Sequence, residues 1–76
     1  MENSTAQKLV NHFGGKGQTA EAMNVSGETV RLWLRDGLPL HRAIDFEQRS
    51  GGAVTAEEIL KETKEAARAH GEERAA

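Results

Sequence analysis

The chain is interrupted at Gly14-Gly15, at Asn24, at Gly37 with Pro39 two residues on, and at Gly51-Gly52, and the intervals carry apolar residues at helical spacing. Ser4-Thr5-Ala6-Gln7 reads as a capping box, in which the serine hydroxyl accepts from a free amide and the glutamine side chain reaches back. Ala6, Leu9, Val10 and Phe13 then fall at i, i+3, i+4 and i+7 on one helical face. Gly14-Gly15 ends that helix, because glycine adopts the left-handed conformation at little cost. The pattern predicts an all-α fold. With 76 residues, 37% of them hydrophobic and 4% aromatic, the chain makes one small domain whose core material is concentrated in few places.

Phe13 to Ala20, FGGKGQTA, raises the question of a phosphate loop, since G-x-G-x-x-A partly imitates a dinucleotide-binding fingerprint. That fingerprint must follow a strand within a βαβ unit. Here a helix precedes it, with no alternating β-branched run. A Walker loop needs its lysine followed by serine or threonine, and Lys16 is followed by Gly17. The glycines therefore turn the corner between two helices.

The second helix is expected from Gln18 to Met23, with Thr19, Ala20 and Met23 on its inner side. Asn24, which tolerates the left-handed conformation, makes a tight turn, and Ser26 offers a hydroxyl cap for the next helix. In that helix Val30, Trp33 and Leu34 form the inner face, and Gly37 with Pro39 stops it. Ala20, Met23, Val25, Val30 and Trp33 together are the core of a helix-turn-helix: a small residue at closest approach, and apolar residues bracketing the turn and anchoring the second helix. Leu38, Leu40, Ala43, Ile44 and Phe46 predict a further helix, apolar over a broad arc and ending at Ser50. Thr55-Ala56-Glu57-Glu58 is a second capping box, opening an extended helix that buries a thin stripe through Ile59, Leu60, Thr63, Ala66 and Ala67 and is solvated and frayed from about His70. The expected architecture is a small four-to-five-helix domain with a central helix-turn-helix over residues 1–53, and an acidic C-terminal helix over residues 54–76.

The order of an N-terminal helix, FGG, A-E-A-M-N-V-S, T-V-R-L-W, G-L-P, R-A-I-D-F-E and GGAVTAEEI resembles the Cro-like repressors of temperate phages and related prophage regulators. The resemblance covers roughly Gln7 to Leu60. It implies a cytoplasmic, sequence-specific DNA-binding transcriptional regulator, generally a homodimer on a short two-fold-related operator. Asn24 stands where the turn glycine is usual, and the helix after Leu60 is longer than in short family members.

In a helix-turn-helix the second helix enters the major groove with its N-terminal residues toward the base edges. With Val30 and Trp33 inward, Gly27, Glu28, Arg31 and Leu32 are the outward set for base contact. Arg31 can pair with two guanine acceptors; its plainer roles are a phosphate contact, or an ion pair with Glu28 or Asp36. Glu28 can accept from cytosine or face solvent. Leu32 can touch a thymine methyl or a protein partner. Phosphate contacts are assigned to Lys16, Gln18, Thr29, Arg35 and Arg42, with the amides of Gly17 and Gln18 at a helix start offering a further anion contact.

The formal net charge of -2 does not advertise nucleic-acid binding, yet residues 1–50 carry six Lys/Arg against six Asp/Glu, while residues 51–76 carry four against six. The acidic excess is confined to the C-terminal part, which leaves room for a locally basic face. Without cysteine, disulfides, thiolate catalysis and cysteine-rich zinc sites are excluded. His12, His41 and His70 lack the spacing of a metal site, and no cofactor is expected. Ser26, His41 and Asp45 make no nucleophile elbow, so an enzyme is not expected. No apolar run approaches the roughly 20 residues of a membrane span, and MENSTAQKLV has no export signal, so a cytoplasmic protein is expected. The expected partners are double-stranded DNA and a second copy of the chain, with Leu34, Leu38, Val54, Ile59 and Leu60 as candidates for the dimer contact. The alternative is a small protein-protein interaction or inhibitor protein that keeps the fold and uses Leu32, Leu34 and the acidic C-terminal helix, which could also contact a host protein.

Overall fold

The computed structural model describes residues 4–75, with side chains as far as residue 66. The elements are α1 (Thr5–Phe13), α2 (Lys16–Met23), α3 (Gly27–Asp36), a 3-10 turn (Leu40–Arg42) that runs into α4 (Ala43–Arg49), and α5 (Ala56–Ala75). No strand occurs among the described residues. The fold is all-α, as the spacing predicts.

Ser4 caps α1 by accepting from the Gln7 amide at 3.1 Å. The reciprocal half of that capping box does not form: the Gln7 side chain donates instead to Asn11 Oδ1 at 3.0 Å. The carboxylate of Glu62, 57 residues away, takes over at this end, accepting from the Thr5 amide at 3.1 Å and from the Thr5 hydroxyl. A negative charge over a helix N-terminus satisfies free amides and complements the helix dipole. The second capping box does close. The Glu58 amide donates to Thr55 Oγ1 at 3.1 Å and the Thr55 amide to Glu58 Oε1 at 3.0 Å, while Glu47 accepts from the Ala56 amide at 2.8 Å.

Between α1 and α2 the amides of Gly14 and Gly15 both donate to the Val10 carbonyl at 3.0 Å. Gly14 is left-handed (φ 92°, ψ 18°), and Gly15 lies at φ 142°, ψ 169°, a region that is essentially reserved for glycine. This lets α2 begin at Lys16, two residues earlier than the apolar pattern suggests. A Cβ on Gly15 would lie 2.7 Å from Gln18 Oε1, which can swing away, so the backbone sets the cost. Gly15→Ala is expected to lose about 1–3 kcal/mol in urea unfolding; an unchanged midpoint would show that the corner can be turned another way. Asn24 ends α2 in the left-handed region (φ 60°, ψ 46°), as its side chain permits.

The core lies where α1, α2, α3, α4 and the first turns of α5 meet. Leu9, Met23, Val30, Phe46, Val54 and Ile59 are fully buried; Ala20 and Trp33 are buried beside them, and Val25 is half-buried against them. The buried Thr19 hydroxyl donates to the Gly15 carbonyl at 2.7 Å, so no polar group is stranded there. The expectation of a broad apolar arc at residues 38–46 needs correction. Leu38 is buried ahead of the helix, and Pro39 (φ -69°) leads into a tight 3-10 turn. Ala43 and Phe46 then face inward, leaving Leu40 at 43% and Ile44 at 61% exposure. Of the dimer candidates, Leu38, Val54 and Ile59 are consumed by the core, Leu34 is half-buried and Leu60 is exposed. The solvated end expected past His70 lies outside the described side chains.

Lys8 on α1 pairs with Glu58 on α5. That hydrogen bond, together with the Thr55 amide, holds the Glu58 carboxyl below its ordinary value of 4.5. A carboxylate lowered in the folded state adds stability above its unfolded pKa and loses it as the pH falls through the folded one. Stability is therefore expected to decline as the pH drops below 4.5, and Glu58→Gln to flatten that decline in urea titrations at neutral and acid pH. An equally steep acid limb in the variant would assign the loss to other carboxylates.

Candidate nucleic-acid interface

The phase of α3 is set by its buried side. Val30 and Trp33 anchor the helix, with Trp33 packed edge-to-face on Phe46 of α4 at 4.9 Å between ring centroids and 85° between planes. Ser26 fixes the start, accepting from the Thr29 amide at 3.1 Å. Gly27, Glu28, Arg31 and Leu32 consequently stand together on the exposed side, Leu32 at 38% exposure. All four are where the helical phase predicts.

Two arginines on this helix are already paired. Arg31 donates through Nε to Glu28 Oε1 at 3.3 Å and through Nη2 to Glu28 Oε2 at 2.8 Å. Arg35 engages Asp36 through the same two nitrogens at 3.2 and 3.1 Å. This hydrogen bonding raises the Arg35 pKa and lowers that of Asp36. Between the two acidic partners that the sequence leaves open for Arg31, the geometry selects Glu28. Both pairs are exposed to solvent, so they stabilise the fold little and can exchange for other anions.

The phosphate-contact candidates divide by setting. Lys16, Gln18 and Arg35 are exposed, the first two in the first turn of α2, where free amides point outward. Thr29 is half-buried, its hydroxyl 3.0 Å from that of Ser26. Arg42 is half-buried, its guanidinium 5.7 Å from the Trp33 ring and 5.8 Å from the Phe46 ring, and it donates to Asp45 at 3.4 Å. Cation–π contact and the ion pair hold it at the α3–α4 junction. Asp45 also accepts from Arg49 at 2.7 Å, which lowers the Asp45 pKa, with Arg42 adding to the effect.

Arg49 is a residue that the sequence pattern does not single out. Its Nη1 donates to the Ala22 carbonyl at 3.1 Å, clamping α4 onto the C-terminal end of α2 and satisfying a carbonyl there. The contact spans 27 residues, so no local motif marks it. Among the described residues no cluster of acidic or histidine side chains is arranged to hold a metal, and no helix is long and apolar enough to cross a membrane. Compared with models of known protein families, residues 5–70 match the family described as DNA-binding transcriptional regulator Cro. No curated protein and no solved structure gives a significant match.

Proposed function

The chain belongs to the Cro family of DNA-binding transcriptional regulators, and from this premise we propose that it represses transcription in the cytoplasm as a homodimer on a short, two-fold-related operator. The observation that carries the proposal is the outer face of α3: Glu28, Arg31 and Leu32 exposed in a row, opposite the buried Val30 and Trp33. Such a helix fits the major groove with its N-terminal half toward the bases. Arg31 would pair with guanine and Leu32 would meet a thymine methyl, with Gly27 allowing close approach and Glu28 flanking the readout. Lys16, Gln18, Thr29, Arg35 and Arg42 would take the phosphates on either side, and the amides at the start of α2 would add backbone contacts.

Pairing follows from the small footprint of one copy. A dimer doubles the contacts and reads two half-sites about one helical turn of DNA apart. Leu40 and Ile44, both exposed and four residues apart, would supply apolar surface for a second copy. Selection of bound duplexes from a random pool, followed by a salt titration on the winning sequence, tests this reading. An inverted repeat should emerge, with affinity falling steeply as salt rises and counterions are released. If no sequence is enriched even at low salt, the DNA-binding reading falls, and the protein-interaction alternative takes its place.

A further inference from the structure

We propose that Glu28 is a positioning residue for sequence readout, its carboxylate holding the side edge of the Arg31 guanidinium so that the end edge faces a guanine. The inference rests on the reading of α3 as the recognition helix and deepens it by giving Glu28 a role that needs no base contact of its own. A planar guanidinium carries five N–H groups in a fixed fork. Nε–H and one Nη2–H form a parallel pair along the side, while one Nη1–H and the other Nη2–H form a second pair at the tip. Glu28 occupies the first pair, through Nε at 3.3 Å and Nη2 at 2.8 Å. Among the described residues no hydrogen bond engages Nη1, so the tip pair stays available, and two parallel donors are what N7 and O6 of guanine accept.

The tether also bears on the entropy of docking. Arg31 is long, and its side chain is 67% exposed. Left free, it would lose rotamer freedom on meeting the base; a carboxylate one turn back on the same rigid helix removes part of that loss beforehand. Glu28 lies in the first turn of α3, where the helix dipole favours a negative charge. With 61% of its side chain exposed, the pair adds little to folding, which separates its effect on readout from any effect on stability.

A Glu28 that acts only as an exposed negative charge beside DNA predicts the opposite behaviour, since its neutralisation would strengthen binding to every sequence alike. The test compares native protein, Glu28→Gln, Arg31→Ala and the double variant on the selected operator, on operators substituted one base pair at a time in each half, and on an unrelated duplex. Thermal unfolding followed by circular dichroism verifies that each variant is folded. Glu28→Gln should bind the unrelated duplex at least as well as native protein. Its preference for the guanine that Arg31 reads should nevertheless drop by roughly threefold to thirtyfold, with no further drop when the change is added to Arg31→Ala. An unchanged preference in Glu28→Gln would overturn the proposal, as would an equal drop in the absence of Arg31, which would make Glu28 a base reader itself. If Arg31→Ala keeps full preference, the assignment of Arg31 as reader fails and the positioning role fails with it. If native protein prefers no sequence, the failure belongs to the DNA reading as a whole.

Discussion

Phe46→Ala is expected to cost about 3–5 kcal/mol, against a total stability of about 4–11 kcal/mol for a domain of this length. Phe46 is fully buried, and its ring meets Trp33 edge-to-face at 4.9 Å, so truncation leaves a cavity as well as removing an aromatic pair. The guanidinium of Arg42 loses one of its two rings at the same time. In a core this small few other side chains can move in to fill the space. Trp33 is the only tryptophan, so its fluorescence during urea unfolding reports directly on this contact. With a urea slope of about 1 kcal/mol per molar for a small domain, the midpoint should fall by roughly 3 M or more. A shift under 1 M would mean that α4 is not the support that holds α3 in phase.

Arg31→Ala is expected to cost about 1–3 kcal/mol per half-site, concentrated at one base pair in each half. Its distribution over sequences matters more than its size. A phosphate contact such as that proposed for Lys16 should, when removed, weaken binding to all duplexes evenly and make the salt dependence shallower. A base contact should instead lower affinity for the operator while leaving unrelated DNA less affected. The change should hardly alter folding, since Arg31 is exposed, alanine is a good helix former, and the ion pair lost is a surface pair. Competition binding on operators substituted one position at a time reads out the difference. Even weakening across all of them would reassign Arg31 to the backbone.

Much of the candidate site was legible because a helix needs only two buried positions to fix its phase. Once Val30 and Trp33 point inward, Gly27, Glu28, Arg31 and Leu32 must point out, and the structure has all four exposed. The breaks were legible for a similar reason: Gly14, Asn24 and Ser26 act through their own backbone or their nearest amides, and each adopts the conformation that its chemistry favours. The acceptor for Arg31 is set by the same periodicity: Glu28 lies three residues back, where side chains on a helix are neighbours, whereas Asp36, five residues on, points to another side and pairs with Arg35.

Side chains that act across the fold followed another rule. Glu62 caps α1 from 57 residues away, Arg49 clamps α2 from 27, and Arg42 lies over two rings on different helices. Leu38, Val54 and Ile59 read equally well as a dimer surface or as core, and Ile44 reads as core though it faces solvent. By itself, then, the sequence determined what local physics controls: where the chain breaks between helices, and which residues α3 turns outward. Only the tertiary structure decided which apolar side chains are consumed within one chain and which charges find each other across it. Helical spacing repeats within a few residues and is written in the order of the amino acids, whereas a contact between distant segments exists only after the helices have packed.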